Sequence, residues 1–312
     1  MLASNNRPLL LGLFAAATYS VANLALRALS KADAGAGWDM WVAGTKAFPT
    51  FFIAVVLIAL RRSRGLHSFA EFSFVWPIAL AAVFNQLGGN FAFQMSLKMI
   101  GLAISVPICF ASIICSGAVA GRMVLGDQVT LRNALSMGLM VASIVFLSSA
   151  ASGRDSVTTG GQSAAVAVAH SPALGVALSM LSGLCYGVSG VFIRRAVRSQ
   201  MPVAATLFLF SAAGFLLLCP ASLCLLPLAD IAQITRSEWT TIAIAGTFNA
   251  IGFFAITHAM RSLTISRANV INASQNAMCA IGACLMFGEQ LSPSGLVGVG
   301  LTITGLLVLD RR

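Results

Sequence analysis

The sequence predicts an all-α integral membrane protein in which ten transmembrane helices form two inverted five-helix repeats (5+5). Three observations support this fold class: the composition of the chain, its long apolar blocks and an internal repeat. Hydrophobic residues make up 58% of the 312 residues and charged residues only 9%, whereas a soluble globular chain carries about 25% charged residues. So few polar groups could not cover the surface of a soluble fold. The composition therefore excludes a soluble enzyme, a disordered or secreted protein and a DNA-binding module.

The long apolar blocks are the predicted membrane spans. A helix of about 20 apolar residues crosses a hydrocarbon core of about 30 Å, and several blocks reach that length. Inside a bilayer every backbone N–H and C=O group must pair within its own segment, so we interpret the blocks as helices. The first block is too long for a signal-peptide core, and we interpret it as a retained span. The ten predicted spans are 9–30, 40–60, 73–95, 101–121, 131–150, 172–196, 203–226, 239–260, 265–287 and 294–309.

The basic residues predict how the helices are oriented. The net charge of +10 comes from short clusters between the apolar blocks, and loops rich in Lys and Arg stay on the cytoplasmic side of a membrane. A cytoplasmic N-terminus puts thirteen basic residues inside and four outside, the latter being Lys31, Lys98, Arg154 and Arg236. We therefore expect a multi-pass protein of the inner (plasma) membrane with both termini in the cytoplasm. The continuous basic face that a nucleic-acid-binding protein needs is absent.

The reactive residue types predict neither a cofactor, nor a metal, nor a catalytic centre. All seven cysteines lie in apolar blocks without a CxxC pair or a nearby histidine at metal-ligand spacing. Three scattered histidines accompany no HExxH or GxSxG motif, and no Walker A motif supports ATP drive. None of the nine acidic residues falls in the middle of a predicted span, which disfavours exchange of a proton for a cation. We expect a protein that is not an enzyme.

The chain divides into two halves that resemble each other. Residues 151–171 are rich in Ser, Gly, Thr and Ala, which is typical of a linker, and they separate a first five-helix repeat at 1–150 from a second at 172–312. Matches between the halves recur in the same order at an offset of about 163 residues. They pair Gly126-Asp127-Gln128 with Gly288-Glu289-Gln290, Asn85 with Asn249, Gly88 with Gly252, Tyr19 with Tyr186 and Arg27 with Arg194.

The odd number of helices in each repeat predicts how the halves are related. With five helices per copy, the second copy must enter the membrane upside down relative to the first. Inverted repeats imply a pseudo-two-fold axis in the membrane plane, with a central cavity and a binding site between the copies near the midplane. Alternating access then follows, because one packing opens the cavity to one side and the swapped packing opens it to the other.

These residues resemble the drug/metabolite transporter superfamily and, within it, the EamA-type transporters with ten spans. The resemblance rests on Gly126-Asp127-Gln128 and Gly288-Glu289-Gln290, each followed by a small-residue-rich helix, and on residues 260–268. It covers nearly the whole chain and implies export of small metabolites through a cavity formed mainly by spans one, three, four, six, eight and nine. Within the family the chain resembles the YddG-type exporters of aromatic and other amino acids. It departs from the family pattern in carrying Lys46 where members often have Arg.

Amide side chains recur on one face of the third and ninth predicted spans. Residues three or four apart share a helix face, and polar groups in a bilayer are costly enough to require a role. One interpretation is a pair of amide-lined cavity walls that bind a polar metabolite. The alternative is hydrogen bonding between helices, which contributes about 0.6 kcal/mol for each bond. With the repeat counterpart of Asn85, the candidates are Asn85, Gln86, Asn90, Gln94, Asn249, Asn269, Asn272, Gln275 and Asn276.

Five further residues complete the candidate site. Tyr19 and Tyr186 occupy matching positions in spans one and six, with Asn23 near the first, and they either flank the cavity or pack with a bonded hydroxyl. Lys46 either binds a substrate carboxylate or extends to the outer interface. Pro107 removes a backbone hydrogen bond in the fourth span, which favours either a hinge or a kink that serves packing alone.

The candidate site and the resemblance together predict a secondary transporter that exports small metabolites by alternating access. Neutral or zwitterionic amino acids, aromatic ones included, are the expected substrates. A phosphorylated sugar or nucleotide sugar is the alternative in the same fold, but it would require several buried cations and only Lys46 is available. A membrane-embedded enzyme is least favoured. The expected partners are the substrate and the lipid bilayer, while nucleic acid is excluded and an oligomer is not required.

Overall fold

Helices are the only regular secondary structure in the residues that the structure describes. The computed structural model describes residues 7–31, 34–158, 172–199, 201–279, 281 and 293–310. Its apolar helices make the protein a multi-pass membrane protein, because seven stretches are long and apolar enough to cross a bilayer. Two more apolar helices, Leu131–Phe146 and Pro293–Val308, are shorter. The seven stretches are Arg7–Leu29, Ala36–Ser63, Phe72–Ile100, Ile108–Leu125, Ala173–Arg198, Val203–Leu223 and Arg236–Ala259.

Both halves contain α-helices that are interrupted by a π-helical segment. In the first half the elements are α1 (Arg7–Leu29), α2 (Ala36–Thr45), α3 (Phe48–Ser63), α4 (Phe72–Phe84), π1 (Asn85–Phe91), α5 (Ala92–Leu125) and α6 (Leu131–Thr158). In the second half they are α7 (Pro172–Arg198), α8 (Val203–Ala213), π2 (Gly214–Leu218), α9 (Cys219–Leu223), α10 (Leu228–Ala232), α11 (Arg236–Ala259), α12 (Ile265–Ala273), α13 (275–279) and α14 (Pro293–Asp310).

Some helix boundaries differ from the predicted ones. The sequence predicts a break between spans three and four, but the helix continues through residues 96–100, which contain no Gly or Pro to end it. Pro107, the predicted hinge, therefore lies inside α5. Helix α6 extends to Thr158, eight residues into the predicted linker at 151–171. Residues 159–171, residues 282–287 of the predicted ninth span and the Gly288-Glu289-Gln290 motif lie outside the described residues.

Four interruptions divide the helices of the interior. Pro49 has no N–H group to donate to the carbonyl four residues earlier, and the chain turns at Lys46 and Ala47 between α2 and α3. The segments π1 and π2 interrupt the third and seventh predicted spans, and a turn at Ser274 separates α12 from α13. Irregular backbone in a membrane protein is tolerated where it is buried in protein or lines a cavity. These four points are therefore candidate borders of a binding site.

The two halves pack against each other through equivalent helices. Helix α1 packs along α11, and α7 packs along π1 and α5, so the first helix of each half lies against the other half. Helix α3 packs against α8, and α12 packs against both α1 and α5.

Helices α6 and α14 form a separate pair that is joined by hydrogen bonds. The Ser143 hydroxyl donates to the Gly298 carbonyl over 2.6 Å, and the Ser136 hydroxyl donates to the Gly305 carbonyl over 2.6 Å. Both serines are buried. No described residue of either helix lines the pocket at the meeting of the two halves.

Candidate functional site

A pocket of about 200 Å³ lies where helices of both halves meet. Its walls come from α1, α3, π1 and α5 of the first half and from α7, α8, α11, α12 and α13 of the second. Two of the four helix interruptions, the break at Lys46 and Ala47 and the segment π1, contribute residues to it, and Asn272 and Gln275 flank a third at Ser274. The pocket brings together eleven predicted site residues: Tyr19, Asn23, Lys46, Asn85, Gln86, Asn90, Tyr186, Asn249, Asn269, Asn272 and Gln275.

Gln94 and Asn276 are the two predicted substrate-binding residues that do not line the pocket. The prediction assumed a regular α-helix, in which Gln94 would share a face with Asn90. The wider turn of π1 changes that spacing, so Gln94 is buried in helix packing instead. Asn276 is also buried, one helical turn beyond Asn272 and past the turn at Ser274. The side chain of the predicted hinge, Pro107, lies outside the described side chains.

A chain of hydrogen bonds crosses one wall of the pocket. The Tyr186 hydroxyl donates to Asn90 Oδ1 over 2.8 Å, and Asn90 Nδ2 donates to Gln86 Oε1 over 2.6 Å. Gln86 Nε2 then donates to the Phe210 carbonyl over 2.6 Å. These bonds connect α7, π1 and α8. They hold the amides in place and leave only part of their hydrogen-bonding capacity for a ligand.

A second set of amides, from α1, α12 and α13, also lines the pocket. Asn23 Nδ2 donates to Gln275 Oε1 over 2.8 Å, and Asn269 Nδ2 donates to the Ile113 carbonyl over 3.1 Å. Gln275 Nε2 also donates to the Asn272 carbonyl over 2.9 Å. Asn272 Oδ1 is buried with no hydrogen-bond partner among the described residues. The amides therefore join helices, as the alternative interpretation predicts, and Asn272 also leaves an acceptor for a ligand.

The two tyrosines pack on glycines of the other half. A Cβ atom added at Gly89 would lie 2.9 Å from Cε1 of Tyr186, and one added at Gly252 would lie 3.2 Å from Cδ1 of Tyr19. Only a residue without a side chain allows the rings to approach this closely. Both rings line the pocket, so each tyrosine lies between its own half and the other half.

Lys46 is the one charged residue among the described residues that line the pocket. It lies in the break between α2 and α3 and is 7% exposed. Its ammonium has neither an ion pair nor a hydrogen bond with any residue that the structure describes. The interpretation in which this side chain extends to an exposed interface does not fit its burial. Nearby, Thr50 also lines the pocket, and its buried hydroxyl lacks a partner in the described ranges.

The apolar part of the lining was not predicted from the sequence. Phe93, Phe110, Phe210 and Phe253 contribute aromatic surface, and the last two rings meet edge to face with centroids 6.0 Å apart. Phenylalanine occurs in nine of the ten predicted spans, so residue type alone does not distinguish lining rings from rings that face away from the pocket. A usable signal was the position of Phe93 one turn after Asn90.

Ion pairs join the helices at their ends. Gly126 ends α5 with a φ of 68°, and Asp127 beside it pairs with Arg194 of α7 and accepts a hydrogen bond from the Ile265 N–H over 3.2 Å. The predicted Gly-Asp-Gln motif therefore ties the start of α12 to α7. On α2, Asp39 is fully buried with Oδ2 3.9 Å from Lys98 Nζ.

Comparisons with known proteins agree with this architecture. Residues 173–309 match the EamA-like transporter family. A solved crystal structure has a similar fold, with a TM-score of 0.71 over 98% of this chain and 97% of that chain at 16% sequence identity. A comparison with curated proteins found no match. The resemblance inferred from the motifs is confirmed for the second half of the chain.

Proposed function

Because residues 173–309 form an EamA-like transporter domain, we propose that this membrane protein is a secondary transporter that exports small metabolites, above all amino acids. The observation that carries the proposal is the pocket, in which polar residues of both halves converge. A binding site between two repeats is where secondary transporters hold their substrates. Transport takes place across the bacterial inner membrane, with both termini in the cytoplasm as the distribution of basic residues favours.

The chemistry of the lining suits neutral or zwitterionic amino acids. Amides such as Asn272 offer donors and acceptors to the polar end of a substrate, and the rings of Phe210 and Phe253 offer an apolar surface to its side chain. Aromatic amino acids fit this combination, because ring faces and edges attract one another. The volume of about 200 Å³ is below the range of about 300–1,000 Å³ for pockets that hold drug-sized ligands.

Alternating access is the mechanism that the packing of the halves supports. The first helix of each half packs on the other half, α1 on α11 and α7 on π1 and α5, and each tyrosine packs on a glycine of the other half, Tyr19 on Gly252 and Tyr186 on Gly89. Two arrangements of similar stability can then open the pocket to opposite sides. The helix interruptions at the pocket are the places where helices can bend, because hinges are short segments that absorb backbone rotation.

Phosphorylated sugars and nucleotide sugars are less suitable substrates. Phosphate groups bind best to several cationic side chains, above all bidentate Arg. Lys46 is the single cation among the described lining residues. The volume of the pocket is also small for a nucleotide sugar.

Flux into liposomes tests the proposed function. Purified protein in liposomes should accelerate the movement of at least one labelled amino acid relative to protein-free liposomes, and it should not move a sugar phosphate. Competition by a panel of unlabelled amino acids then gives the substrate range. Protein that moves the sugar phosphate but no amino acid would replace the proposal with the alternative substrate class.

A further inference from the structure

Lys46 places an unpaired positive charge inside the pocket. The residue is 7% exposed, and none of the described residues that line the pocket is acidic. A charge in the interior of a membrane protein is costly and is normally paired. The missing partner is therefore expected to arrive with the substrate.

We propose that the Lys46 ammonium binds the carboxylate of the substrate, so that the protein selects small metabolites with a free carboxylate over the same molecules with that group capped. The inference rests on the proposed function, because it takes this pocket as the transport site. It assigns the polar end of the substrate to the break between α2 and α3, and it excludes purely cationic substrates from the site.

The local backbone holds Lys46 in this position. Pro49 prevents α2 and α3 from forming one continuous helix, which places Lys46 in the turn between them. Glycines on two neighbouring helices allow close packing around the turn. A Cβ atom at Gly246 would lie 2.9 Å from the Lys46 carbonyl oxygen, and one at Gly214 would lie 2.9 Å from Ala47 Cβ.

Thr50 supplies a second group for the same carboxylate. Its hydroxyl is buried in the lining and has no hydrogen-bond partner in the described part of the chain. A carboxylate has two oxygens that each accept hydrogen bonds. One oxygen can bind the ammonium while the other accepts from the hydroxyl, and such charge-assisted bonds are about twice as strong as neutral ones.

The rest of the lining suits the remainder of an amino acid. The rings of Phe210 and Phe253 are apolar, and the unpartnered Asn272 Oδ1 is an acceptor for an N–H group. An α-amino acid has all three features in one molecule: a carboxylate, a donor and a side chain. Its carboxamide keeps the donor and the side chain but loses the negative charge.

The test compares phenylalanine with phenylalaninamide as competitors for the binding or uptake of labelled phenylalanine. Wild-type protein should prefer the acid by at least about tenfold, which corresponds to about 1.4 kcal/mol. Lys46→Met, which is similar in length but uncharged, should reduce this preference to within about twofold. Lys46→Arg should keep most of the preference, because it keeps the charge.

Lys31→Met is the matched control, since it removes a lysine that pairs with Glu238 away from the pocket. It should leave the preference for the acid unchanged. If Lys46→Met keeps the wild-type preference, or if the wild-type protein binds both compounds equally, the inference is wrong while transport stands. If the protein binds neither compound, the inference fails as well, and the flux panel then decides the proposed function separately.

Discussion

Asn272 and Asn276 have the same side chain and are one helical turn apart, yet only Asn272 lines the pocket. The turn at Ser274 separates them, so they do not continue one straight helix face. Both side chains have buried polar atoms without a partner among the described residues, and the place of Asn272 in the pocket lining makes its Oδ1 available to a ligand. Equal spacing in the sequence therefore does not imply equal access to substrate.

This pair gives a matched test of the pocket. Asn272→Ala should reduce amino-acid flux by roughly tenfold, because a lost hydrogen bond to substrate corresponds to about 1–1.5 kcal/mol. Asn276→Ala removes the same atoms outside the lining and should leave flux within about twofold. Flux is measured in liposomes with equal amounts of inserted protein, and an equal loss in both variants would contradict the assignment.

Gly89 tests the contact between a tyrosine and the other half. A methyl group in Gly89→Ala would lie 2.9 Å from the Tyr186 ring, so the ring must shift and the bond from its hydroxyl to Asn90 weakens. We expect a loss of about 1–3 kcal/mol in unfolding free energy together with lower flux. Gly138→Ala is the control, because a Cβ atom there meets nothing within 4 Å. Thermal unfolding in detergent compares the two variants, and equal unfolding midpoints would contradict this prediction.

At the scale of elements, the interruptions of the helices position the site. Pro49 inside the predicted second span was a visible signal for a break, and Gly88 and Gly89 were a weaker signal for π1. A π-helical segment as short as π1 changes the hydrophobic periodicity of a long helix too little to be recognised in the sequence. For this reason the sequence placed four amides of the third span together, whereas the structure has Asn85, Gln86 and Asn90 in the pocket lining and Gln94 buried outside it.

Asp127 joins the end of α5 to α7 and α12. Its removal should therefore destabilise the start of α12. The carboxylate pairs with Arg194 and accepts from the Ile265 N–H. Asp127→Ala leaves a buried guanidinium without this partner, for which we expect a cost of about 3–5 kcal/mol. Lys31→Ala breaks a more exposed pair with Glu238 and should cost no more than about 1 kcal/mol. Unfolding midpoints of the two variants check this, and similar midpoints would contradict it.

At the scale of the whole molecule, the repeat in the sequence predicts which helices meet. The sequence matches Tyr19 with Tyr186 and Gly88 with Gly252, and the structure packs Tyr19 on Gly252 but Tyr186 on Gly89, the residue next to the matched glycine. The bond from Gln86 to the Phe210 carbonyl was not predictable. A bond to a backbone carbonyl depends on the point at which two helices cross, and residue types alone do not indicate that point.

The packing across the halves predicts the behaviour of a divided chain. Helix α1 packs on α11, and α7 packs on π1 and α5, so each half on its own would expose the surface that its partner covers. Halves separated within residues 159–171 and produced together should copurify and restore flux, whereas either half alone should be inactive. Pull-down and liposome flux measure this, and transport by a single half would overturn it.

The pairing of α6 with α14 has a practical consequence. Buried serine hydroxyls bond these helices to each other at two levels, and none of their described residues enters the pocket. A fluorescent reporter or an antibody epitope attached to the ends of α6 or α14 would therefore not block the pocket. These two helices are thus suitable places for labels in single-molecule measurements.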